Sequence, residues 1–489
     1  MRCILTMQNY IIANMNDFSL VILEDKKMNQ DYMHTDMNDL DQVKKSIISQ
    51  KLKICVIGIG RIGLPTALSF ARSGLKTVGV DINQTLVNKI NDGIFPLNDE
   101  PGYQEIFDSV IKSRKFYATT KIDEAVPKSD VILLSLPTPI DNNNVPDYSA
   151  LKSVGTKLGE LIKPNSLIIV ESTIEPGFIE NELINIIIKS SNHKLILGKN
   201  VNIGVCPENA NPGEILHDFM NLPRLIGAIN EQTAKIITEI YQYVFPVEFI
   251  IMTDCKTANA VKLTTNVFRD INIAFVNELA LLFEKLGIDT MEVLNAAKKK
   301  YNFQIHYPGA GVGGPCLPVN SYQLLNSARK HSSKLSTVSY GREVNEKMPY
   351  HVIDLLLDGF NEANKPLEQS QVLILGISYK PDVKDVQLSP AVPIIKKLKE
   401  LKVNVRIYDP YFKSTEFLGI ISENNLEDSL KEIDAIIIVT AHKEFFNINL
   451  SFLASKMKNR IIVDSRSVMD IHSAQKAGFI FRGLGRGKI

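Results

Sequence analysis

From residue 52 onward, short apolar runs alternate with stretches in which apolar residues recur at helical spacing. Runs of about 4–8 apolar residues are typical of strands buried on both faces of a parallel sheet. Such runs lie at residues 52–57, 77–80, 131–136, 167–170 and 201–205. Strands that alternate with helices predict a parallel sheet whose two faces are covered by helices.

Residues 255–287 interrupt this alternation. They contain no proline, and their only glycine is the last residue, Gly287. A glycine at this position is typical of a helix C-terminus. At 1.5 Å per residue, the predicted helix would be about 45–50 Å long. Apolar residues occur nearly all round it, which predicts burial between domains or subunits.

A second α/β pattern begins after about residue 365, with apolar runs at residues 371–375, 403–408, 435–439 and 460–463. The sequence therefore predicts an α/β protein in which a long central helix joins two doubly wound domains. We expect a poorly ordered N-terminal tail over residues 1–50. The expected domains are a first α/β domain over 51–252, a central helical domain over 253–350 and a second α/β domain over 351–489.

The composition is that of an ordinary globular protein. Of the 489 residues, 45% are hydrophobic and 22% are charged, which is enough apolar material for buried cores. The 55 Lys and Arg residues nearly balance the 54 Asp and Glu residues. This balance gives no electrostatic reason to expect nucleic acid or an anionic membrane surface as a partner. We also expect no transmembrane helix and no secretory signal, since no apolar stretch has the required length.

The five cysteines are widely spaced, and no two of them form a C-x-x-C pair. An odd number at such spacing predicts neither a disulfide framework nor a zinc site. We therefore expect a cytoplasmic protein with reduced thiols and no bound metal.

The first candidate site is a glycine-rich turn. Gly58, Gly60 and Gly63 form a G-x-G-x-x-G pattern between a predicted strand and a predicted helix, and Asp81 ends the next strand 18 residues after Gly63. In this context the glycines allow a tight turn, close approach of the backbone to a pyrophosphate and close packing of the helix. A carboxylate at Asp81 can accept hydrogen bonds from ribose hydroxyls and would repel a 2′-phosphate. The pattern therefore predicts NAD rather than NADP, against the alternative of a glycine turn that binds no nucleotide.

The second candidate is Cys316, which follows a loop that carries four glycines between residues 309 and 314. Glycines permit positive φ values and close approach of the backbone to a ligand. The thiol is a candidate nucleophile, although a lone cysteine is often simply a small buried side chain. Beside a nicotinamide, a cysteine could trap an aldehyde as a thiohemiacetal that is then oxidised to a thioester.

The third candidate is a polar stripe on the long helix. Lys262, Asn266 and Arg269 stand at positions i, i+4 and i+7 and therefore share one face. Burying Lys and Arg without partners is costly, so the stripe indicates a polar ligand or a cleft between domains. The alternative is an ordinary solvated helix face.

These motifs, together with others in order along the chain, resemble the UDP-glucose/GDP-mannose dehydrogenase family of nucleotide-sugar dehydrogenases. The resemblance covers about residues 52–470 and includes LPTP at 136–139, ESTIEPG at 171–177, CPE at 206–208, GISYKPDVKD at 376–385 and DSR at 464–466. It implies two Rossmann-like domains, of which the first binds NAD and the second the UDP-sugar, and a homodimer formed through the central helix. The long helix and the glycine loop are most similar to UDP-N-acetyl-D-mannosamine dehydrogenases, with UDP-N-acetylglucosamine 6-dehydrogenases as near neighbours.

The resemblance implies a four-electron oxidation of the C6 alcohol of a UDP-hexose to a carboxylate, with two NAD per substrate. Cys316 would hold the substrate as a thiohemiacetal and a thioester, and Lys262 would exchange a proton at C6 or stabilise its oxygen. Asn266 and Arg269 would hold the substrate or the reacting oxygen, and Thr173 and Glu208 match family positions near the reacting carbon and the catalytic water.

The same resemblance implies contacts with both ligands. Beyond the glycine turn and Asp81, the implied cofactor contacts are Ile62, Thr138, Thr173 and Arg466. The implied substrate contacts are Lys262, Asn266, Arg269, Gly313, Tyr379 and Lys380.

Three residues depart from the family pattern. Pro315 stands where His is common, Asn320 where Asp is common, and Gln387 where Arg is common. Asn320 cannot act as a base, which makes Glu208 the obvious candidate for that role. These departures leave open a catalytically impaired nucleotide-sugar binder. The sequence is also compatible with a UDP-glucose 6-dehydrogenase or with a two-electron 3-hydroxyacid dehydrogenase.

Overall fold

The computed structural model describes residues 34–487, and its largest element is an eight-stranded sheet in the first half of the chain. Each strand consists mainly of apolar residues, as expected for a sheet covered on both faces. The strands are β1 (Lys53–Ile57), β2 (Lys76–Val80), β3 (Phe116–Thr119), β4 (Val131–Leu134), β5 (Ser166–Val170), β6 (Val201–Val205), β7 (Arg224–Ala228) and β8 (Phe249–Ile251).

The strand order is β3-β2-β1-β4-β5-β6-β7-β8. All neighbours are parallel except β6 and β7, which pair antiparallel through Gly204↔Ala228 and Val205↔Gly227. The expected parallel sheet is therefore present, with one reversal that the apolar runs did not predict. The strand order changes direction between β1 and β4, where a doubly wound sheet opens a crevice at its carboxyl edge.

Helices cover both faces of this sheet, and two large apolar clusters fill the space between the layers. The helices are α1 (Leu40–Ile48), α2 (Gly63–Arg72), α3 (Gln84–Asn91), α4 (Tyr103–Lys112), α5 (Ile122–Ala125), α6 (Ser149–Leu161), α7 (Ile184–Ser190), α8 (Ile215–Asn221) and α9 (Glu231–Gln242). A π-helical turn at Ile179–Leu183 leads into α7.

The central part of the chain is helical, with α10 (Cys255–Leu286), α11 (Thr290–Ala297), α12 (Leu317–Lys330) and α13 (Ser336–Glu362). The predicted long helix is confirmed as α10. The Asp254 side chain accepts a hydrogen bond from the Thr257 N–H at its start, and Gly287 ends it with φ +71°. A buried ion pair of 2.9 Å between Asp270 and Arg342 joins α10 to α13.

The second α/β region contains a five-stranded parallel sheet in the order β10-β9-β13-β14-β15. Its strands are β9 (Gln371–Leu375), β10 (Asn404–Tyr408), β13 (Ala435–Ile438), β14 (Ile461–Asp464) and β15 (Ile480–Gly483), and β11 (Glu416–Phe417) and β12 (Ile420–Ile421) form a separate hairpin. The accompanying helices are α14 (Ala391–Glu400), α15 (Leu426–Ser429), α16 (Leu450–Lys456) and α17 (Ile471–Lys476).

The prediction of a poorly ordered tail over residues 1–50 is wrong for the part from residue 34. Residues 40–48 form α1, whose Val43 and Ile47 are buried in the core of the first α/β region. The spacing of these two residues, i and i+4, is that of one helix face, and Asp39 caps the helix by accepting hydrogen bonds from two N–H groups. The rest of the predicted tail, residues 1–33, lies outside the described residues.

Two further expectations concern membrane spans and thiols. Within residues 34–487, every helix is too short or too polar to cross a membrane. Cys55, Cys206, Cys255 and Cys316 are free thiols, and the fifth cysteine, Cys3, lies outside the described residues.

We predict that Ile47→Ala lowers the free energy of unfolding by about 2–4 kcal/mol, because it leaves a cavity in a packed core. The adjacent residue provides a matched control. Ile48 is 77% exposed, so Ile48→Ala should change stability by less than about 0.5 kcal/mol. Urea unfolding followed by circular dichroism measures both. Equal effects of the two substitutions would show that α1 does not belong to the core.

Candidate functional site

The glycine-rich turn lies directly after β1, at the crevice of the first sheet. Gly58 has φ +88°, and a Cβ there would lie 2.5 Å from the Ser135 carbonyl oxygen. A Cβ on Gly63 would lie 1.8 Å from the Gly58 carbonyl oxygen, whereas a Cβ on Gly60 would meet nothing within 4 Å. Gly58 and Gly63 are therefore required by the fold itself, while Gly60 faces open space that a ligand can enter.

The same turn meets the requirements for a dinucleotide. α2 begins after Ile62 without a side-chain cap. The Leu64 N–H donates to the Gly60 carbonyl oxygen, and the free N–H groups before it are available for an anion. The Asp81 carboxylate accepts hydrogen bonds from the Ile59 N–H at 3.1 Å and the Asn83 N–H at 2.9 Å. These two bonds fix the carboxylate at the end of β2 and leave lone pairs for ribose hydroxyls. The residues present therefore fit NAD.

Arg61, within the turn, joins it to the second α/β region. Its guanidinium forms ion pairs of 2.8 Å with both Asp99 and Glu100 and donates to the Lys384 carbonyl oxygen at 3.4 Å. The Lys384 N–H in turn donates to Asp99 at 3.1 Å. Sequence patterns do not reveal this cluster, because its members are far apart in the chain and its carboxylates belong to no local motif.

Lys262 lies on the inner face of α10 and is only 7% exposed. Its ammonium donates a hydrogen bond of 3.1 Å to the Asn209 side-chain oxygen. Burial lowers the pKa of Lys262 below its usual value, against the opposing effects of Cys316 and Glu208, and the Arg269 charge lowers it further. A lysine in this position is closer to its uncharged form and better suited to accept a proton.

A chain of buried amides connects α10 to the first sheet. Asn266 donates to the Asn320 side-chain oxygen at 2.6 Å, and Asn320 donates to the Gln323 side-chain oxygen at 3.1 Å. Gln323 then donates to the Thr173 carbonyl oxygen at 3.1 Å. The Thr138 hydroxyl donates to the same carbonyl at 2.8 Å. The predicted residues Asn266, Thr173 and Thr138 therefore belong to one continuous network.

Cys316 occupies the N-terminal end of α12, next to this network. Its thiol is free and half-buried, and its carbonyl oxygen accepts a hydrogen bond of 2.9 Å from the Asn320 N–H. The hydrogen bond from Asn266, one turn after Lys262, to Asn320, one turn after Cys316, brings these two helix segments together although 54 residues separate Lys262 and Cys316 in the chain. The thiol and the buried lysine thus come together from separate motifs.

The glycine loop before Cys316 packs against the second α/β region. A Cβ on Gly309 would lie 2.2 Å from the Arg466 guanidinium, one on Gly314 2.5 Å from the Tyr379 ring, and one on Gly313 2.5 Å from the Leu388 carbonyl oxygen. The sequence pattern predicts that these glycines allow close approach to a ligand. In the structure, Gly309, Gly313 and Gly314 allow close approach of the second region itself.

Charged residues predicted to bind ligands lie in different surroundings. Lys380 crosses between the two α/β regions, since its ammonium donates to the Pro212 carbonyl oxygen at 3.2 Å and lies 3.8 Å from the Glu214 carboxylate. Arg466 is packed beside the glycine loop, and burial lowers the pKa of its guanidinium. Arg269 is exposed on α10, and its guanidinium forms no hydrogen bond or ion pair with any residue in the described part of the chain.

Glu208 is held by strong partners. One oxygen accepts hydrogen bonds from the N–H groups of Asn209 and Ala210 at 2.7 and 2.9 Å, and the other forms an ion pair of 2.6 Å with Arg224. The Arg224 guanidinium stacks over aromatic rings, with 3.9 Å to the centre of Phe245. This arrangement suits an anion that orients its own loop, and the part of Glu208 in activating water stays a prediction.

A second buried carboxyl, Glu171, lies at the end of β5. It accepts hydrogen bonds from the Ser135 hydroxyl at 2.5 Å and the Tyr241 hydroxyl at 2.7 Å. Burial raises the pKa of Glu171 to about 7, and the Glu208 charge adds to this effect. Ser135 also packs against Gly58 and Gly63. Glu171 therefore stabilises the glycine-rich turn through its hydrogen bond with Ser135.

Two doubly wound domains that meet around a thiol and a buried lysine, with a dinucleotide turn in one of them, define a dinucleotide-dependent dehydrogenase. Models of the UDP-glucose/GDP-mannose dehydrogenase family match three parts of the chain. Residues 52–245 match its NAD binding domain, residues 256–347 its central domain and residues 373–471 its UDP binding domain. The chain belongs to this family and is an NAD-dependent nucleotide-sugar dehydrogenase.

Curated relatives and solved structures agree with this placement. The UDP-N-acetyl-D-mannosamine dehydrogenase of Pyrococcus horikoshii is 33% identical over 438 residues, which cover 90% of this chain and all of that protein. The enzyme of the same name from Methanococcus aeolicus is 35% identical, with coverage of 92% and 98%. The solved Pyrococcus horikoshii structure superposes with a TM-score of 0.83, 33% identity and coverage of 90% and 100%. That of the UDP-N-acetyl-mannosamine dehydrogenase from Staphylococcus aureus gives 0.76, 31% identity and coverage of 88% and 98%.

We predict that Glu171→Gln removes a pH-dependent loss of stability. The folded-state pKa of Glu171, about 7, lies above the ordinary value, so the wild-type protein loses stability as pH rises from about 4.5 through 7. The variant cannot ionise at this position. Over this pH interval its free energy of unfolding should therefore rise relative to that of the wild type, by up to about 3 kcal/mol. Thermal unfolding between pH 5 and 8 measures the difference, and parallel curves for the two proteins would contradict it.

Proposed function

We propose that this enzyme oxidises the C6 alcohol of UDP-N-acetyl-D-mannosamine to the carboxylate of UDP-N-acetyl-D-mannosaminuronate. The observation that supports the proposal is the buried hydrogen bond between Asn266 and Asn320, which joins the helix that carries Lys262 to the helix that follows Cys316. The choice of sugar is supported by the relatives that share the whole length of the family domains, which are named for this substrate.

NAD, when bound at the glycine turn, accepts a hydride from C6, and the change from alcohol to acid requires two such transfers. Lys262 takes the proton of the C6 hydroxyl in the first oxidation. The Cys316 sulfur then adds to the aldehyde carbon, giving a thiohemiacetal whose oxidation leaves a thioester. Water cleaves the thioester, releasing the acid and restoring the thiol.

Binding of the UDP-sugar is assigned to residues of the second α/β region and the glycine loop. Tyr379 and Lys380 lie where that region meets the first, and Gly313 lies against Tyr379. Lys380 supplies a positive charge for a diphosphate, and Arg466 supplies another beside Gly309. The resemblance implies that Arg466 is a cofactor contact, and its place in the second region supports a substrate contact equally well.

The oxidation predicts two NADH per molecule of acid. Absorbance of NADH should rise with UDP-N-acetyl-D-mannosamine and less with UDP-N-acetylglucosamine, UDP-glucose or GDP-mannose. Cys316→Ala should form no acid, since no thioester can form, whereas Cys255→Ala removes a buried thiol outside the site and should retain turnover. One NADH per sugar, or full turnover of Cys316→Ala, would contradict the proposal.

The departures from the family pattern at Asn320 and Gln387 motivate a second candidate, a nucleotide-sugar binder with impaired catalysis. Calorimetry distinguishes it from the enzyme. Binding of NAD and a UDP-sugar without NADH formation from any of the four sugars would establish the binder and exclude the dehydrogenase activity proposed above.

We also infer a homodimer formed through α10. Phe268, Phe275 and Leu282 recur at intervals of seven residues along this helix and are 47%, 49% and 50% exposed. Large apolar side chains in such a continuous stripe are typical of a surface that another chain covers. A second copy of α10 is a suitable occupant, because the stripe is apolar and runs along the helix from Phe268 to Leu282. The free thiols of the described cysteines support the cytoplasmic location expected from the sequence.

Phe275→Glu, in the middle of the stripe, should convert the dimer into a monomer, because burying an unpaired carboxylate is costly. Ile421 is 70% exposed on the β11–β12 hairpin, and Ile421→Glu is the matched control that should remain dimeric. Light scattering coupled to size-exclusion chromatography measures the mass of each. A wild-type monomer, or a dimeric Phe275→Glu variant, would contradict the proposed interface.

A further inference from the structure

We propose that Asn209 is a positioning residue that aims the Lys262 amine into the site through a neutral amide, and that the Arg224–Glu208 ion pair holds Asn209 in place. This inference rests on the proposed function, in which Lys262 accepts a proton from the substrate. Asn209 lies outside the candidate residues of the sequence motifs, one position after Glu208.

Both ends of the Asn209 amide are engaged. Its oxygen accepts the Lys262 ammonium hydrogen bond at 3.1 Å, and its nitrogen donates to the Pro223 carbonyl oxygen at 3.4 Å. The contact with Pro223 determines which end of the amide faces Lys262, since only the oxygen can accept. The Lys262 ammonium has no other hydrogen bond among the described residues, so Asn209 alone sets its direction.

The loop that carries Asn209 is fixed by buried charges. Glu208 accepts hydrogen bonds from the Asn209 and Ala210 N–H groups, and Arg224 neutralises its other oxygen. Arg224 is itself only 3% exposed and packs over the rings of Phe219 and Phe245 at 4.6 and 3.9 Å. The position of Asn209 therefore depends on a rigid and fully packed support.

Because Asn209 is an amide, the side chain that contacts the Lys262 amine carries no charge. The charged or titratable groups that face Lys262 are Cys316 at the start of α12, Glu208 in the loop after β6 and Arg269 on α10 itself. Glu208 is paired with Arg224, and the group in direct contact, Asn209, is uncharged. A carboxylate at position 209 would strongly stabilise the ammonium form, whereas the neutral amide directs the amine and favours its protonation much less. The arrangement suits a lysine that must accept a proton.

The test compares Asn209→Ala and Asn209→Asp with wild type, by kcat and KM from NADH absorbance between pH 6 and 10. Asn209→Ala should lower kcat about tenfold while KM changes little, because proton transfer and not binding is impaired. Asn209→Asp should have a higher kcat than Asn209→Ala but a lower one than wild type. In its plot of kcat against pH, the rising limb should lie about one pH unit higher than in wild type. A purely structural role would not move that limb. Asn221 is exposed at the end of α8, and Asn221→Ala and Asn221→Asp are matched controls without effect.

A second readout does not need turnover. The rate at which Lys262 is acetylated, followed by mass spectrometry against pH, reports protonation of its amine and should shift to higher pH in Asn209→Asp. Unchanged kcat profiles and acetylation midpoints in both Asn209 variants would overturn the inference. If the wild type forms no NADH, the proposed function fails, and the acetylation midpoints alone decide the part played by Asn209.

Discussion

The buried hydrogen bond between Asn266 and Asn320 is the contact on which the site depends. It joins α10, which carries Lys262 one turn earlier, to α12, which begins directly after Cys316. A polar pair of 2.6 Å between two helices fixes both their rotation and their spacing, because both side chains would otherwise be buried without partners. The separation of the Cys316 thiol and the Lys262 amine thus follows from the packing of two rigid helices.

The second constraint is the closeness of the two α/β regions. Glycines at 309, 313 and 314 let Arg466, Leu388 and Tyr379 approach the backbone next to Cys316. Asn277 on α10 accepts the Gly309 N–H at 3.0 Å, so the central helix also holds the start of this loop. Arg61 makes the corresponding contact on the side of the dinucleotide turn. Contacts on both sides, from the glycine loop and from the Arg61 side chain, therefore hold the two regions together.

Local patterns predict the fold well. The predicted strands, the dinucleotide turn and α10 with its cap at Gly287 all have short-range signals and lie where the sequence indicates, whereas β3, β7, β8 and β15 are not among the predicted apolar runs. The polar stripe is predicted only in part, since spacing identifies a helix face but not which residues along it are covered, and Arg269 is exposed. The contacts of Asn209 and Arg61 and the antiparallel β7 could not be predicted, because their partners are distant in sequence. The two buried residues of α1 are too few to give a clear period.

The departure from the family pattern at Asn320 can be understood from the directions of its hydrogen bonds as well as from its charge. Asn320 accepts from Asn266 and donates to Gln323, whose own amide then donates to the Thr173 carbonyl. A carboxylate could accept from Asn266 but could not donate to the Gln323 oxygen, so Gln323 would have to turn and would lose its bond to Thr173. Asn320 and Gln323 are therefore a matched pair, and a neutral residue at 320 is what this network requires. The same substitution removes a negative charge from the neighbourhood of Lys262, which favours the uncharged amine there.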